Sequence, residues 1–143
     1  MPDQSSPASY LPDEVAVALC IYGEHLEPKE ITKLLGVEPT HAHVRGERKS
    51  LRSPPWDKGA WIREVRRFEP ICADDMLEEL LRGVPDDPVI WRSLSARYHL
   101  RFDFALHTDV GGTFNLSPRS VHRIAQLDAE FQIYIQAYGD NGA

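Results

Sequence analysis

The chain has 143 residues, 42% apolar and 27% charged, with a formal net charge of −6 and two cysteines. That length suffices for one domain burying roughly 68–70% of its unfolded surface, so a core needs neither disulfides nor a structural metal. No apolar run approaches the ~20 residues of a membrane span, and the opening MPDQSSPASYLPDE has neither the basic start nor the apolar stretch of a secretory signal.

The negative charge is unevenly spread. Residues 41–68 carry eight Lys and Arg against three Asp and Glu, a net +5, which leaves −11 on the remainder. A basic segment on an acidic body gives a dipolar field. Cys20 lies in an apolar run and Cys72 just before a helix start, with no framework spacing. They read as free thiols, small and buried, in a reducing and therefore cytoplasmic setting. Residues 1–13, rich in Pro, Ser and Asp, read as a disordered lead-in, 14–139 as a single α+β domain, and 140–143 as a tail.

Glu14 to Tyr22 is apolar on both faces, as a central strand should be, with Val15, Val17, Leu19 and Ile21 on one side and Ala16, Ala18, Cys20 and Tyr22 on the other. Leu26 to Thr40 then spells a short helix: Pro28 in the first turn, Ile31, Leu34 and Leu35 as a core stripe, Gly36 as a left-handed stop and Pro39 beyond it. Thr40 to Ser50 looks like an exposed strand. Pro54–Pro55 and Trp56 mark a loop, and Gly59 to Phe68 reads as the returning strand of a long basic hairpin. Ala73 to Arg82 predicts a helix burying Met76, Leu77, Leu80 and Leu81 and ending at Gly83. Asp87 is the expected N-cap of a third helix running to about Arg97. Tyr98 to His107 alternates strictly, with Leu100, Phe102, Phe104 and Leu106 inward. After a Gly-Gly turn, Ser117 and Pro118 open a fourth helix. Phe131 to Tyr138 alternates again, with Phe131, Ile133, Ile135 and Ala137 inward.

LEPKEITKLLGVEPT at 26–40 has a gapless echo in LSPRSVHRIAQLDAE at 116–130. Leu, Pro and the apolar stripe recur, and each copy stands between two strands. The order β-α-β-β-α-α-β-α-β therefore predicts a ferredoxin-like α/β sandwich, with duplicated β-α-β units around an antiparallel sheet and an inserted β-hairpin.

Gly23, Leu26, Pro28, Ile31, Leu34-Leu35-Gly36-Val37, Pro39-Thr40, Gly46-Glu47, Gly59, Trp61-Ile62, Leu116-Ser117-Pro118 and Ile133-Tyr134 together resemble a bacterial domain-of-unknown-function family, number 4279. The likeness runs from about Val15 to Tyr138. Departures are the Pro54–Pro55–Trp56 loop and Ala125–Gln126 where the first copy has Leu35–Gly36. The resemblance implies a small, soluble bacterial protein. Because some small bacterial domains act as immunity proteins that neutralise a toxin by binding it, an immunity role is an expectation by analogy.

The residues themselves point to partner binding by another protein, either a toxin or a second copy. The basic hairpin supplies Arg45, Arg48, Trp56, Trp61, Arg63 and Arg66. The outward face of the late strands supplies Arg101, Asp103, His107, Tyr134 and Tyr138. The alternatives are a small-molecule or enzymatic groove over Ala16, Ala18 and Cys20, with Arg101, Tyr134 and His107 as polar groups, and nucleic-acid binding through Arg63, Arg66 and Arg67. The acidic total and the lack of RNP, KH or helix-turn-helix signatures disfavour nucleic acid. His41 and His43 share a strand face but lack a third ligand at metal spacing. No nucleophile elbow or phosphate loop appears, so neither catalysis nor a cofactor or metal is expected.

Overall fold

A computed structural model of the chain describes residues 14–68, 72–108 and 113–137. The element order is the expected one: β1 (Glu14–Gly23), α1 (Pro28–Leu35), β2 (His41–His43), β3 (Gly59–Arg67), α2 (Ala73–Leu81), α3 (Pro88–Arg97), β4 (His99–Thr108), α4 (Pro118–Ala125) and β5 (Glu130–Ala137). The punctuation read from the sequence sits where it is needed. Pro28 and Pro118 open their helices, and Gly36 takes a left-handed φ of 75° at the end of α1. The Asp87 and Ser117 side chains accept the backbone N–H groups of Val89 and Ser120. These contacts satisfy helix-end groups that have no partner within the helix.

The five strands form one sheet in the order β2-β3-β1-β4-β5. β1 runs antiparallel to both β3 and β4, and β2 is antiparallel to β3. β5 is parallel to β4, so the sheet is mixed rather than wholly antiparallel. The chain leaves β4, crosses through α4 and returns in the same direction, which only a crossover connection allows. The crossover through α1 differs: β1 and β2 are parallel but have β3 between them. The two helices that share a sequence pattern thus sit in unlike connections.

The helices pack on one side of the sheet. Val15, Val17, Leu19 and Ile21 of β1 stand in register with Leu106, Phe104, Phe102 and Leu100 of β4. Against them lie Ile31, Leu35, Met76, Leu77, Leu80, Trp91 and Leu94. Each such side chain contributes about 1.5–3 kcal/mol by leaving water. Central β1 is apolar on both faces because strands flank it on both sides and helices cover one of its faces.

Four local expectations are corrected. β2 stops at His43 instead of continuing to Ser50, because Gly46, at φ 92°, turns the chain and Glu47 Oε1 accepts the Val44 N–H. Leu34 is 44% exposed, one position off the buried stripe of Ile31 and Leu35. Cys72 stands at the N-cap position of α2 as expected but is exposed instead of buried. Phe131, Ile133 and Ile135 do share the helix side with Phe102, Phe104 and Leu106, yet they stay 48%, 53% and 65% exposed. β5 is an edge strand, and the main helix contacts fall on β1, β3 and β4. The crossover helix α4 is tied to α2 instead, where Asp74 accepts the Ser117 N–H at 3.0 Å and the Ser120 hydroxyl at 2.6 Å.

Candidate partner-binding face

The side of the sheet away from the helices is built from the even positions of β1. Ala16, Ala18 and Cys20 form its floor, with Ala60 of β3 alongside, and all four are buried. In the middle of a sheet, methyl-sized side chains are shielded by longer neighbours to either side. The register supplies those neighbours: Ile62 and Arg101 flank Cys20, Glu64 and Asp103 flank Ala18, and Arg66 flanks Ala16.

Polar groups ring this floor and are paired with one another. Arg101 donates to both carboxylate oxygens of Asp103, at 2.8 and 3.1 Å, and to the Tyr22 hydroxyl at 3.2 Å, while its guanidinium lies 5.2 Å from the centre of the Tyr22 ring. The Asp103 hydrogen bonds raise the Arg101 pKa further. Across the floor, Arg66 donates to Glu14 at 2.5 Å and to Glu64 at 3.0 Å, and His107 Nδ1 lies 3.7 Å from Glu14. Tyr134 stands beside Ala105 on the same face and is 53% exposed. Burial, with the Asp103 charge second, pushes the Cys20 thiol up to about 11, and burial followed by Cys20 pushes Tyr22 up to about 12. Both therefore stay protonated at neutral pH, and neither is an activated nucleophile.

At the β2 margin of this face an aromatic cluster forms that the sequence reading did not find. Trp56 stacks on His43, with ring centroids 4.0 Å apart and planes 10° from parallel. His41 Nε2 lies 3.0 Å from His43 Nδ1. The loop reaches this position because Trp56 N donates to Glu47 O and Gly46 N donates to Trp56 O, both at 2.8 Å. Burial and the neighbouring His41 hold His43 below its usual 6.5. The signal in the sequence was Val44-x-Gly46-Glu47, a turn motif that folds the loop back over the two histidines. Among the described residues no three His, Cys, Asp or Glu side chains gather as a metal site.

The residues expected to bind a partner separate into two groups. Arg66, Arg101, Asp103, His107, Tyr134 and Trp56 come together on or beside the helix-free face. Trp61 does not: it is fully buried on the opposite side, its indole N–H donating to Thr32 Oγ1 at 3.0 Å. It pairs with Ile21, and that register turns it toward the helices. Arg63 also points to the helix side, where it donates to Leu80 O at 2.9 Å and Glu38 O at 2.7 Å. Arg67 pairs with Glu79 of α2. Arg45 pairs with Glu24 at 3.2 Å, and Arg48 donates to Ser53 O within the loop. Tyr138 lies outside the described residues.

The clefts lie beside the floor and not over it; one of about 420 Å³ opens at the Tyr22 end, between Lys58, Tyr98 and His99. A second of about 510 Å³ runs between α1 and β2, past Pro28, Thr32, Pro39 and Ala42. Another of about 200 Å³ lies between α2 and α4 around Asp74 and Arg119. Ala16, Ala18 and Cys20 line none of the three. No helix among the described residues is long and apolar enough to cross a membrane.

No curated protein and no solved structure matches the chain. The family described as Domain of unknown function (DUF4279) matches residues 13–138, which span the sheet and its helices. The caps and core positions that suggested this family are those that shape α1, α4 and the β3 core, and the chain belongs to it.

Proposed function

We propose that the protein is a non-enzymatic interaction module that binds another protein through its helix-free sheet face, an immunity-type, toxin-neutralising protein being the form the family resemblance suggests. The observation that carries this reading is the floor of Ala16, Ala18, Cys20 and Ala60 ringed by Arg66, Arg101, Asp103 and Tyr134. Arg and Tyr side chains around a shallow apolar centre are the chemistry in which protein interfaces are enriched. Their internal pairing preorganises the face, so little side-chain ordering remains for binding.

The same reading includes a ferredoxin-like sandwich built by duplication, with the β2–β3 hairpin as an insertion. Two split connections support it: β2 is parallel to β1 across β3, and β4 is parallel to β3 across β1. The matching Pro starts of α1 and α4 support duplication, and the directly paired β4 and β5 depart from it.

Two other readings have less support. For a small-molecule or enzymatic groove, the protonated Cys20 and the position of the clefts offer little chemistry at the floor. For nucleic acid, Arg63 and Arg67 are turned to the helix side, where Leu80 O, Glu38 O and Glu79 hold them, so only Arg66 of the three is on the open face.

The test is co-expression with the products of the neighbouring genes, followed by calorimetric titration of any complex. A stable complex whose Kd weakens by about tenfold or more in Arg101→Ala or Arg66→Ala, with the melting temperature held, supports the reading. A complex indifferent to both substitutions, or no complex with any neighbour, overturns it.

A further inference from the structure

The two edges of the sheet are treated differently by the sequence. β2, at one edge, is three residues long and is bounded by Pro39 and the turn at Gly46. Short edge strands of this kind resist pairing with other chains. β5, at the other edge, is eight residues long, EFQIYIQA, with no Pro, Lys or Arg and a single charge at Glu130. Among the described residues it has β4 on one side and no strand on the other. Its Phe131, Ile133 and Ile135 make an exposed apolar ladder on the helix side, while Tyr134 is exposed on the other side. A long, nearly uncharged edge strand is one that soluble proteins ordinarily blunt.

We infer that β5 is the dimerisation edge of this protein, and that its occupant is β5 of a second copy, paired antiparallel across a two-fold axis perpendicular to the sheet. The strand is self-complementary about Ile133. Centred there, Phe131 of each copy faces Ile135 of the other, and the two Ile133 side chains face each other. Gln132 meets Tyr134 on the far side. Glu130 meets Gln136, so no like charges are opposed. That pattern favours a second copy over a partner of different sequence, since directly opposite pairs set the stability of a strand pairing.

The exposures of Phe131, Ile133, Tyr134 and Ile135, 48%, 53%, 53% and 65%, applied to side chains of roughly 200 Å², leave on the order of 400–500 Å² per copy. Complete coverage of these side chains sets a ceiling of about 800–1,000 Å² for the pair, under the ~1,200 Å² at which standard specific interfaces begin, and the backbone ladder adds to it. The contact is isologous and uses up the only long edge among the described residues, so it closes at two copies rather than growing into a fibre. The result is a ten-stranded sheet, twice the five of one copy, with both helix layers on one side. The inference does not rest on the proposed partner face, although it would join the two helix-free faces into one surface with both Tyr134 side chains near the axis.

The experiment measures the mass of the full chain in solution by light scattering and sedimentation, over roughly 1–500 μM. The expected result is a reversible dimer, twice the 16.2 kDa of the chain, which Ile133→Lys converts to a monomer with unchanged circular dichroism and a cooperative melt that no longer shifts with concentration. Should Ile133→Lys unfold, Ile133→Cys in a Cys72→Ser background gives the second readout: mild oxidation links it to itself as a covalent dimer, whereas Cys placed at exposed Val121 does not link. A wild-type monomer throughout the range overturns the inference. So does a dimer that survives Ile133→Lys and fails to link through Ile133→Cys. The partner-face reading stands or falls separately, on Arg101→Ala, which should leave the dimer intact.

Discussion

Trp61 offers the sharpest test of the division between core and surface. From its place in a basic strand it reads as a partner-binding side chain, but its accessible surface is 0%. Trp61→Ala removes a fully buried indole from between β3 and α1 and leaves Thr32 Oγ1 without its donor. Deleting a buried Trp or Phe costs about 3–5 kcal/mol, the cavity included. Against a total stability of about 5–15 kcal/mol, that is a large share. At about 3 °C per kcal/mol for a chain of this size, the melting temperature should fall by about 9–15 °C. Trp61→Phe keeps most of the packing and loses the N–H, so it should cost about 1–2 kcal/mol. Trp56→Ala is the control: its ring stacks on His43 but remains partly exposed, and an aromatic pair of this kind contributes about 0.5–1.5 kcal/mol. Urea unfolding followed by far-ultraviolet circular dichroism, with equal m-values required across the variants, measures all three. A Trp61→Ala loss below about 1.5 kcal/mol, or a Trp56→Ala loss equal to it, would refute the assignment of Trp61 to the core.

Three other outcomes follow from the geometry. His43 has a folded pKa below its unfolded value of 6.5, so its contribution is complete above pH 6.5 and is lost as pH falls through 6.5 toward the folded value; the urea midpoint should therefore drop between about pH 7 and pH 5, and His43→Gln should flatten that drop. Arg63→Met removes the donors to Leu80 O and Glu38 O and should cost about 1–2 kcal/mol in thermal unfolding, with Arg63→Lys restoring little because an ammonium cannot span both carbonyls. Gly59→Ala would set a Cβ 2.7 Å from the backbone oxygen of Leu26; a loss of about 1–3 kcal/mol is expected, and a variant as stable as wild type in urea would show that the Leu26 turn yields freely.

Much of the fold was legible because its signals are local. Pro28, Gly36, Asp87 and Ser117 act through the backbone within one turn of themselves, so their positions can be read from sequence alone. The alternation in β4 likewise fixed which residues face the core. β2 ends earlier than its local pattern predicts because the Gly46 turn depends on Trp56 returning to pair with it, a contact across the loop. The exposure of Phe131, Ile133 and Ile135 has a related reason. Alternation assigns a face but cannot say whether a helix lies over it.

The candidate face shows the same division. Periodicity placed Arg101, Asp103, His107 and Tyr134 together on one side, because a strand has period two. Which of the hairpin arginines joined them depended on register. A pairing of Ala18 with Glu64 puts Arg66 beside the floor and sends Arg63 and Arg67 to the helices. Sequence by itself determined the elements, their caps and the faces of each strand, since those follow from dihedral preferences and hydrophobic period. Only the tertiary structure decided the strand order, the burial of Trp61, the stacking of Trp56 on His43 and the edge position of β5 among the described strands. Each of these depends on which distant residues come to lie side by side, and no local preference in the chain encodes that.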